Sequence, residues 1–373
     1  MNNLPSNLNL SATGNKASKK IIIFSHGFGV TKDGRDNLLV DIENSLREEF
    51  LCIRFDYNTF DKKGNTYTPS LKEMAKMLQD IYSWCLLEFK PKEINVIAHS
   101  LGGLVPLISG LSNINQLILL ALPPKPQNEG LKNYFLQRPH TEIYTDKSSK
   151  IERSDGTFTF VEPEFWEDLK IEPAKLIKPL SNKVFITVIQ ATKDQVIKDS
   201  YKALLQNQYI NKVQIKSDHD FSGDSRESVV REINDTLRKK VRRVALLAVV
   251  NQDNKILLQD RKNFKGGLLK WGWFGGAIEL DETPEIAVIR EAYEELGLTL
   301  LKDELKRIGH FQNEVIKNFI LKSDVFIYKT NKDISEFTLG EGDGMKYVSL
   351  EKASKLLQFQ QDQDIIHKLK KLI

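Results

Sequence analysis

Short apolar runs alternate with amphipathic stretches through the first 240 residues of the chain. Each run is nearly continuous in apolar residues, as in a parallel strand that is covered on both faces. Residues 70–89 have their apolar positions at helical spacing, and residues 101–111, 198–207 and 224–239 have helical patterns as well. This order predicts an open, mostly parallel α/β sheet with right-handed crossovers. The predicted strands are residues 21–25, 51–55, 94–98, 116–122, 184–189 and 213–215.

Two segments of this half depart from the alternation. Residues 1–19 are rich in Asn, Ser and Gly, which predicts a flexible N-terminal arm. Residues 123–182 carry four prolines early on, followed by several aromatic residues. A stretch of this length between two strands is typical of a functional insertion such as a lid. An irregular surface excursion is the alternative.

The pattern changes after residue 240. Residues 244–250 and 255–261 predict a β-hairpin around Gln252–Asn254. A Gly- and Trp-rich loop, one helix, strands near 304–311, 318–329 and 346–349, and final helices follow. This α+β layout predicts two domains, at 20–240 and 241–373. The connecting run LRKKVRR at 237–243 has no Gly or Pro, so a helix is expected to lead almost directly into a strand.

Composition narrows the class of protein. The 373 residues include 54 basic and 50 acidic side chains, 40% are hydrophobic, and the formal charge is +4. These values exclude a disordered or collagen-like chain, and the small charge does not indicate nucleic acid as a partner. No apolar run reaches the roughly 18 residues that span a bilayer, and the polar N-terminus lacks a signal-peptide core. We therefore expect a cytoplasmic protein with no membrane partner. Because the chain has only two cysteines, we also expect no disulfide scaffold.

The most informative segment is 275–298, GGAIELDETPEIAVIREAYEELGL. Thr283 is suited to an N-cap and Pro284 to the first helical position, so a helix is predicted to begin here. The apolar residues at helical spacing predict which face of this helix is buried. That predicted stripe consists of Ile286, Ile289, Tyr293 and Leu296.

Three carboxylates share another face of the predicted helix. Glu291, Glu294 and Glu295 fall at positions i, i+3 and i+4. Because carboxylates this close repel one another, the face favours a hard cation such as Mg²⁺ or Mn²⁺. A solvated acidic helix is the alternative, but it leaves the nearby Glu282 and Arg290 unexplained.

This segment resembles the Nudix box, G-x5-E-x7-R-E-U-x-E-E-x-G-U, and matches every fixed position. Ala292 at the hydrophobic position, and Phe274 where a proline often precedes the glycine pair, are mild departures. The resemblance covers roughly residues 241–373. It implies an α/β/α sandwich that cleaves a nucleoside diphosphate linked to another moiety. The matched positions are Gly276, Glu282, Arg290, Glu291, Glu294, Glu295 and Gly297.

The resemblance also implies roles for these residues. Glu291, Glu294 and Glu295 would hold one or more Mg²⁺ or Mn²⁺ ions, which neutralise the diphosphate and lower the pKa of a bound water. Gly276 would supply backbone to the site. Arg290 would hold a carboxylate in place.

Two further carboxylates are candidates in the same half. The segment LGEGDGMKYVSL at 339–350 is similar to the loop that supplies a fourth carboxylate in MutT-type members. Glu341 is therefore a candidate general base or metal ligand, with a surface glutamate in a Gly-rich turn as the alternative. MutT-type enzymes that clean oxidised purine nucleotides carry Asn or Asp just before the last helix. Asp362 aligns there as a substrate-binding candidate, with an N-cap as the alternative.

Several aromatic residues of this half are candidates for stacking a nucleobase, although burial in the core is the expected role for most. They are Trp271, Trp273, Phe274 and Phe311.

A different chemistry is indicated in the first half. The predicted strand 94–98 runs into HSLGG and then a helical stretch, which is the order of a nucleophile elbow around Ser100. Ala98 replaces the first glycine of G-x-S-x-G. The first predicted strand ends in SHGFG at 25–29, and together these features resemble the α/β-hydrolase family over roughly residues 19–240. The resemblance implies that the backbone N–H groups of Phe28 and Leu101 face a developing oxyanion.

The α/β-hydrolase order is serine, acid, histidine. Asp194 follows the predicted strand 184–189, and His219 follows the last strand of the sheet. His219 would take the Ser100 proton while Asp194 holds its tautomer, which implies acyl transfer from an ester, thioester or amide to water. His26 and His99 are expected to be packing or loop residues. Because only a polar arm precedes residue 21, the sheet is expected to lack the extra N-terminal strands of larger family members.

Three classes of function remain at this point. The leading interpretation is a bifunctional hydrolase with small-molecule nucleotide and acyl substrates. In the second, a nucleotide-sensing Nudix module regulates the serine hydrolase, and in the third the chain is an interaction protein with vestigial sites. The intact Glu291, Glu294 and Glu295 argue against a binding-only Nudix module.

Overall fold

The computed structural model of the chain describes residues 8–197, 210–261, 270–279, 282–316 and 318–373. The chain divides into two units, Met1–Arg238 and Lys239–Ile373. The predicted helix at 198–207 lies outside the described residues. None of the described helices combines the length and apolar content needed to cross a bilayer.

Strands and helices alternate along the first unit, as predicted. Its helices are α1 (Leu38–Leu46), α2 (Leu71–Phe89), α3 (Leu104–Ser109), α4 (Asn128–Phe135), α5 (Pro163–Asp168), α6 (Pro173–Ser181) and α7 (Ser225–Leu237). Its strands are β1 (Leu10–Gly14), β2 (Lys20–Ser25), β3 (Leu51–Phe55), β4 (Thr59–Phe60), β5 (Thr66–Thr68), β6 (Glu93–His99), β7 (Gln116–Leu120), β8 (Ser149–Glu152), β9 (Phe158–Val161), β10 (Phe185–Ala191) and β11 (Ile210–Ile215).

A seven-stranded sheet organises this unit in the order β1-β3-β2-β6-β7-β10-β11, and every pair except β1–β3 is parallel. All six predicted strands belong to it. Alternate residues of β2 enter different cores: Ile21 and Ile23 pack with α2 and α3, whereas Ile22 and Phe24 pack with α1 and α7. The near-continuous apolar runs thus reflect a sheet covered on both faces.

The prediction of a flexible arm at residues 1–19 is wrong for its second half. Leu10–Gly14 forms β1, which pairs antiparallel with the edge strand β3. Leu10 and Ala12 pack against the core, and Thr13 hydrogen-bonds Glu43. This alternation has the period of two expected of a half-buried strand, so the arm does add one strand before residue 21.

The segment at 123–182 is ordered structure. It contains α4, α5 and α6, and its strands β8 and β9 join β4 and β5 in a second sheet of the order β4-β5-β9-β8. Phe165 and Trp166 of α5 are buried in the first-unit core. The irregular surface excursion is therefore not what the segment forms.

The second unit is an α/β/α sandwich. Its strands are β12 (Lys240–Val250), β13 (Ile256–Asp260), β14 (Trp271–Gly272), β15 (Phe274–Ala277), β16 (Lys306–Ile316), β17 (Phe319–Lys329) and β18 (Gly344–Val348). Its helices are α8 (Pro284–Leu296), α9 (Leu350–Leu356) and α10 (Gln360–Leu369). The main strand order is β14-β13-β12-β17-β16, with β15 on β12 and β18 on β13. Helix α8 packs on one face of the sheet, and α9 and α10 pack on the other.

The predicted buried stripe of α8 is wrong. Ile286 and Tyr293 are 53% and 65% exposed, and of the four predicted positions only Leu296 is buried. The helix instead turns Ala287, Val288 and Ala292 toward the sheet, where they pack in one core with residues of β12 and β15. The buried residues of α8 are Pro284, Ala287, Val288, Ala292, Glu295 and Leu296.

Candidate functional site

The turn after β6 presents Ser100 in a backbone conformation that few non-glycine residues adopt. Its φ is 55°, and a short 3-10 turn at Ser100–Gly103 leads directly into α3. Gly102 is required here, because a Cβ at this position would collide with the His26 carbonyl. A strained serine between a strand and a helix is the geometry of a nucleophile elbow.

Ser100, His219 and Asp194 form a hydrogen-bonded chain. The distance from Ser100 Oγ to His219 Nε2 is 2.7 Å, and that from His219 Nδ1 to Asp194 Oδ2 is also 2.7 Å. Because a carboxylate only accepts hydrogen bonds, Nδ1 carries the proton and Nε2 accepts from the serine hydroxyl. The other oxygen of Asp194 accepts the N–H groups of Val196 at 2.9 Å and Ile197 at 2.8 Å, which holds the carboxylate in position.

A cavity of ≈ 370 Å³ opens beside Ser100 and is also lined by Phe28 and Leu101. The Phe28 ring packs against Phe135 and Phe165, so the insertion supports the loop expected to provide an oxyanion N–H. Three arginines line the cavity as well, and the sequence analysis did not single them out. They are Arg35, Arg138 and Arg153.

His99 and His26 are buried structural residues, as expected. His99 Nε2 donates to the backbone carbonyl of His219 at 3.0 Å, and His26 Nε2 accepts the Tyr57 N–H at 2.9 Å. Burial, aided by His219, lowers the pKa of His99 to about 3, and burial also lowers the pKa of His26. Asp220 lies close enough to His99 and His219 to share a cation, but both His219 nitrogens already serve Ser100 and Asp194.

The buried His99 is expected to make the first unit sensitive to acid. Its pKa is about 3 in the folded protein and near 6.5 when unfolded, so its stabilising effect is complete above pH 6.5 and is lost as pH falls toward 3. Between about pH 7.5 and about pH 5, this group alone is expected to lower the free energy of unfolding by about 2 kcal/mol. Urea titrations read by hydrogen exchange of β6 measure this change.

His99→Gln is the matched variant for that measurement. The glutamine amide retains a donor for the His219 carbonyl but does not titrate. The variant is expected to lose about 2 kcal/mol less than the wild type over the same pH interval. Equal losses in the two proteins would show that His99 is not the source of the acid sensitivity.

In the second unit, α8 begins as predicted. Thr283 is the N-cap, with its hydroxyl accepting the Ile286 N–H at 3.3 Å, and Pro284 occupies the first turn. Gly276 of β15 lies directly against Glu291, whose carboxylate a Cβ at this glycine would strike. The glycine therefore lets the strand and the acidic face of α8 lie side by side.

Arg290 connects the acidic residues around this helix. Its Nε and Nη2 bind the two Glu282 oxygens at 2.8 and 3.0 Å, and Nη2 also donates to the Ala277 carbonyl at 2.9 Å. Its Nη1 contacts Glu291 at 2.8 Å and Glu294 at 3.1 Å. A hydrogen bond from Arg290 lowers the pKa of Glu282, and Glu282 and Glu291 raise the pKa of the arginine.

Glu295 is the buried member of the carboxylate set, at 3% exposure. It accepts the Gly275 N–H at 2.6 Å, and Arg261 lies 3.8 Å away. Burial, together with the nearby charges of Glu291 and Glu341, raises the pKa of Glu295 to about 7. Carboxylate oxygens are the ligands that a hard divalent cation such as Mg²⁺ prefers, and the cation would supply the missing positive charge. Among the described residues, no three of Glu291, Glu294, Glu295 and Glu341 bring oxygens within 4.8 Å of one another, and Glu291 and Glu294 instead share Arg290 Nη1.

The two remaining candidates, Glu341 and Asp362, differ in their exposure to solvent. Glu341 is exposed, its charge acts on Glu295, and its backbone carbonyl accepts Gln259 Nε2 at 3.0 Å. Asp362 is 4% exposed and accepts Trp273 Nε1 at 2.9 Å. It is not the N-cap of α10, since Phe359 holds that position and donates its N–H to Asp362 at 3.1 Å.

The aromatic candidates divide between core and surface. Trp273 and Phe274 are buried on opposite faces of the second-unit sheet. Trp271 is half-buried beneath the Lys346 ammonium, and Phe311 is partly buried against the core.

Residues 239–369 match the model of the NUDIX domain. Over 101 residues the chain is 38% identical to the oxidized purine nucleoside triphosphate hydrolase of Danio rerio. The matched segment covers 27% of this chain and 60% of that protein. Over 62 residues the chain is 42% identical to a MutT-like protein of Streptomyces ambofaciens, covering 17% of this chain and 38% of that protein. The chain thus spans less than two thirds of either relative.

A comparison with solved structures adds a likeness to the ferulic acid-bound structure of Est1E from Butyrivibrio proteoclasticus. That likeness covers 62% of this chain and 94% of the Est1E chain, at 15% identity and a TM-score of 0.49.

Proposed function

We propose that this chain, whose residues 239–369 form a NUDIX domain, is a bifunctional hydrolase. The NUDIX domain would cleave a nucleoside-diphosphate-linked substrate with Mg²⁺ or Mn²⁺, and the first unit would hydrolyse an ester, thioester or amide. The domain match supports the first activity. The observation that carries the second is the Asp194–His219–Ser100 chain, with both distances at 2.7 Å.

In the acyl hydrolysis, Ser100 Oγ attacks the scissile carbonyl as His219 Nε2 takes its proton. Asp194 holds the Nδ1 proton and stabilises the imidazolium that forms. The backbone N–H groups of Phe28 and Leu101 stabilise the oxyanion. His219 then protonates the leaving group as the acyl bond breaks, and water releases the acid from Ser100 by the same steps.

In the nucleotide hydrolysis, Glu291, Glu294 and Glu295 are the residues that would hold the cation. When bound, Mg²⁺ supplies charge neutralisation and Lewis acidity at the diphosphate. Glu341 accepts a proton from the attacking water or serves as a further ligand. Arg290, fixed by its two contacts to Glu282, keeps Glu291 oriented.

The substrate class we favour is an oxidised purine nucleoside triphosphate. This choice rests on the name of the Danio rerio relative, which is 38% identical over the matched segment. Asp362, held by the Trp273 indole, is the residue we assign to contact the base. Both activities therefore take small molecules as substrates.

A substrate panel tests the proposal. Full-length protein with Mg²⁺ is incubated with oxidised and normal dNTPs, ADP-ribose, sugar nucleotides and CoA, and separately with a fluorophosphonate probe. Cleavage of oxidised purine dNTPs together with labelling of Ser100 is the expected result. Micromolar binding of a nucleotide that stays intact would instead favour a sensor that regulates the serine hydrolase.

A further inference from the structure

The cavity beside Ser100 has a positive lining. Among its described residues there are three arginines and one carboxylate, Asp220. His99 adds no charge near neutral pH, since its pKa is about 3. An excess of arginine in a cavity of this size favours a ligand that carries negative charge.

Two of the three arginines already bind other groups of the protein. Arg35 Nε lies 3.5 Å from Asp220, so these two charges largely offset each other. Arg153 Nη1 donates to the Gly29 carbonyl and to Thr66 Oγ1 at 3.2 Å, which ties the insertion to the loop that contains Phe28. Its Nε makes no hydrogen bond within the described residues, but it lies 3.8 Å from an Asp155 carboxylate oxygen.

Arg138 is the arginine that is best placed to take an anion. Its Nη1 donates to the Glu152 carbonyl at 2.6 Å, and its guanidinium stacks 4.9 Å from the Phe135 ring and 5.4 Å from the Tyr134 ring. Among the described residues Arg35 pairs with Asp220 and Arg153 with Asp155, whereas Arg138 has no carboxylate within ion-pair distance. The stacking and the backbone contact hold the guanidinium in one orientation, so binding costs little side-chain entropy.

We infer that the Ser100 cavity takes an ester or thioester that bears an anionic group, carboxylate or phosphate, bound by Arg138. This inference rests on the proposed serine hydrolase and adds its substrate class. The apolar part of such a substrate would contact Phe28, Leu131 and Ile151, which line the same cavity. A planar guanidinium offers paired N–H donors to carboxylate or phosphate oxygens.

A pair of matched esters tests the inference. p-Nitrophenyl hemiglutarate and p-nitrophenyl pentanoate share the leaving group and the acyl chain length and differ only in the terminal carboxylate. The wild type is expected to prefer the hemiglutarate in kcat/KM, and Arg138→Gln is expected to lower that preference by about 10- to 100-fold. Arg138→Lys, which retains the charge, should recover part of it.

Lys170→Gln is the control for loss of one positive charge from the insertion. Lys170 is exposed, pairs with Glu167 and does not line the cavity, so the preference should not change.

Two further esters test where the substrate carries its anionic group and whether that group is a carboxylate or a phosphate. They are 4-acetoxybenzoate and 4-acetoxyphenyl phosphate, which carry the anionic group on the leaving group. The inference is supported if kcat/KM for any of the three anionic esters exceeds that for the matching ester without the anionic group, and if this preference depends on Arg138. Equal kcat/KM for all pairs, unchanged in Arg138→Gln, would overturn it.

A binding measurement separates this inference from the serine chemistry. Glutarate and 4-hydroxybenzoate are titrated into Ser100→Ala and into Ser100→Ala/Arg138→Gln by calorimetry. Affinity that falls about 10-fold or more on loss of Arg138 supports the anion site even if no ester is hydrolysed. Hydrolysis of neutral esters, with no Arg138-dependent binding or preference, leaves the serine hydrolase intact and removes the anionic substrate class.

Discussion

Replacing Ser100 with alanine is expected to lower kcat for ester hydrolysis by about 10⁴-fold or more. The variant lacks the hydroxyl that we propose accepts the acyl group. Because the substitution removes a single oxygen atom, the hydrogen bond of 2.7 Å between His219 and Asp194 should be retained. Nucleotide cleavage should be unchanged, because the residues proposed for it are carboxylates of the second unit. Rates with p-nitrophenyl pentanoate and with nucleotide, measured on the same preparation, check both statements.

Covalent labelling gives an independent reading of the same variant. The wild type should react with a fluorophosphonate at Ser100, and Ser100→Ala should not. Ser83→Ala is the control, because Ser83 is exposed on α2 and is expected to leave labelling and turnover intact. Turnover that persists in Ser100→Ala, or a wild-type protein that is never labelled, would argue against a serine nucleophile.

Replacing Glu295 with glutamine is expected to lower nucleotide hydrolysis by about 10³-fold, the effect of several kcal/mol of lost cation chemistry. The amide oxygen can still accept the Gly275 N–H that Glu295 accepts at 2.6 Å, so the local structure is retained. What is removed is the charge that we propose holds the cation. Kinetics at saturating Mg²⁺ measure the loss of hydrolysis rate, and titration of Mn²⁺ into the protein measures the loss of cation binding.

The same variant should be as stable as the wild type or more stable when no metal is added. Burial raises the pKa of Glu295 to about 7, so at pH 8 the wild type keeps an unfavourable buried charge that the amide lacks. Glu285→Gln is the control, since Glu285 lies on the same helix and faces Arg307. A Glu295→Gln protein that unfolds, or one that still cleaves nucleotides at the wild-type rate, would count against a metal-binding role.

The sequence predicted the order of elements and the candidate residues because both depend on local chemistry. Strands β2, β3, β6, β7 and β10 were found since a strand covered on both faces is apolar at every position. Thr283 and Pro284 marked the start of α8 through preferences that act within one helical turn.

The positions that the sequence misjudged depend on a partner distant in the chain. The exposure of Ile286 and Tyr293 is decided by which face of α8 packs on the sheet, and that face carries Ala287, Val288 and Ala292. Strand β1 forms because the edge of β3 is available to it. The sequence did not predict a role for Arg138, because nothing in a long insertion shows which arginine will line a cavity after folding.

By itself, then, the sequence identified the NUDIX domain through its box spacing, and it predicted serine-hydrolase chemistry from the order of Ser100, Asp194 and His219. Only the tertiary structure decided how those residues meet. Ser100 and His219 are 119 positions apart and come within 2.7 Å because parallel strands deliver their carboxyl ends to one edge of the sheet. The burial of Glu295 and the positive cavity wall arise in the same way, since solvent exclusion and net local charge are properties of packed neighbours and not of any one segment.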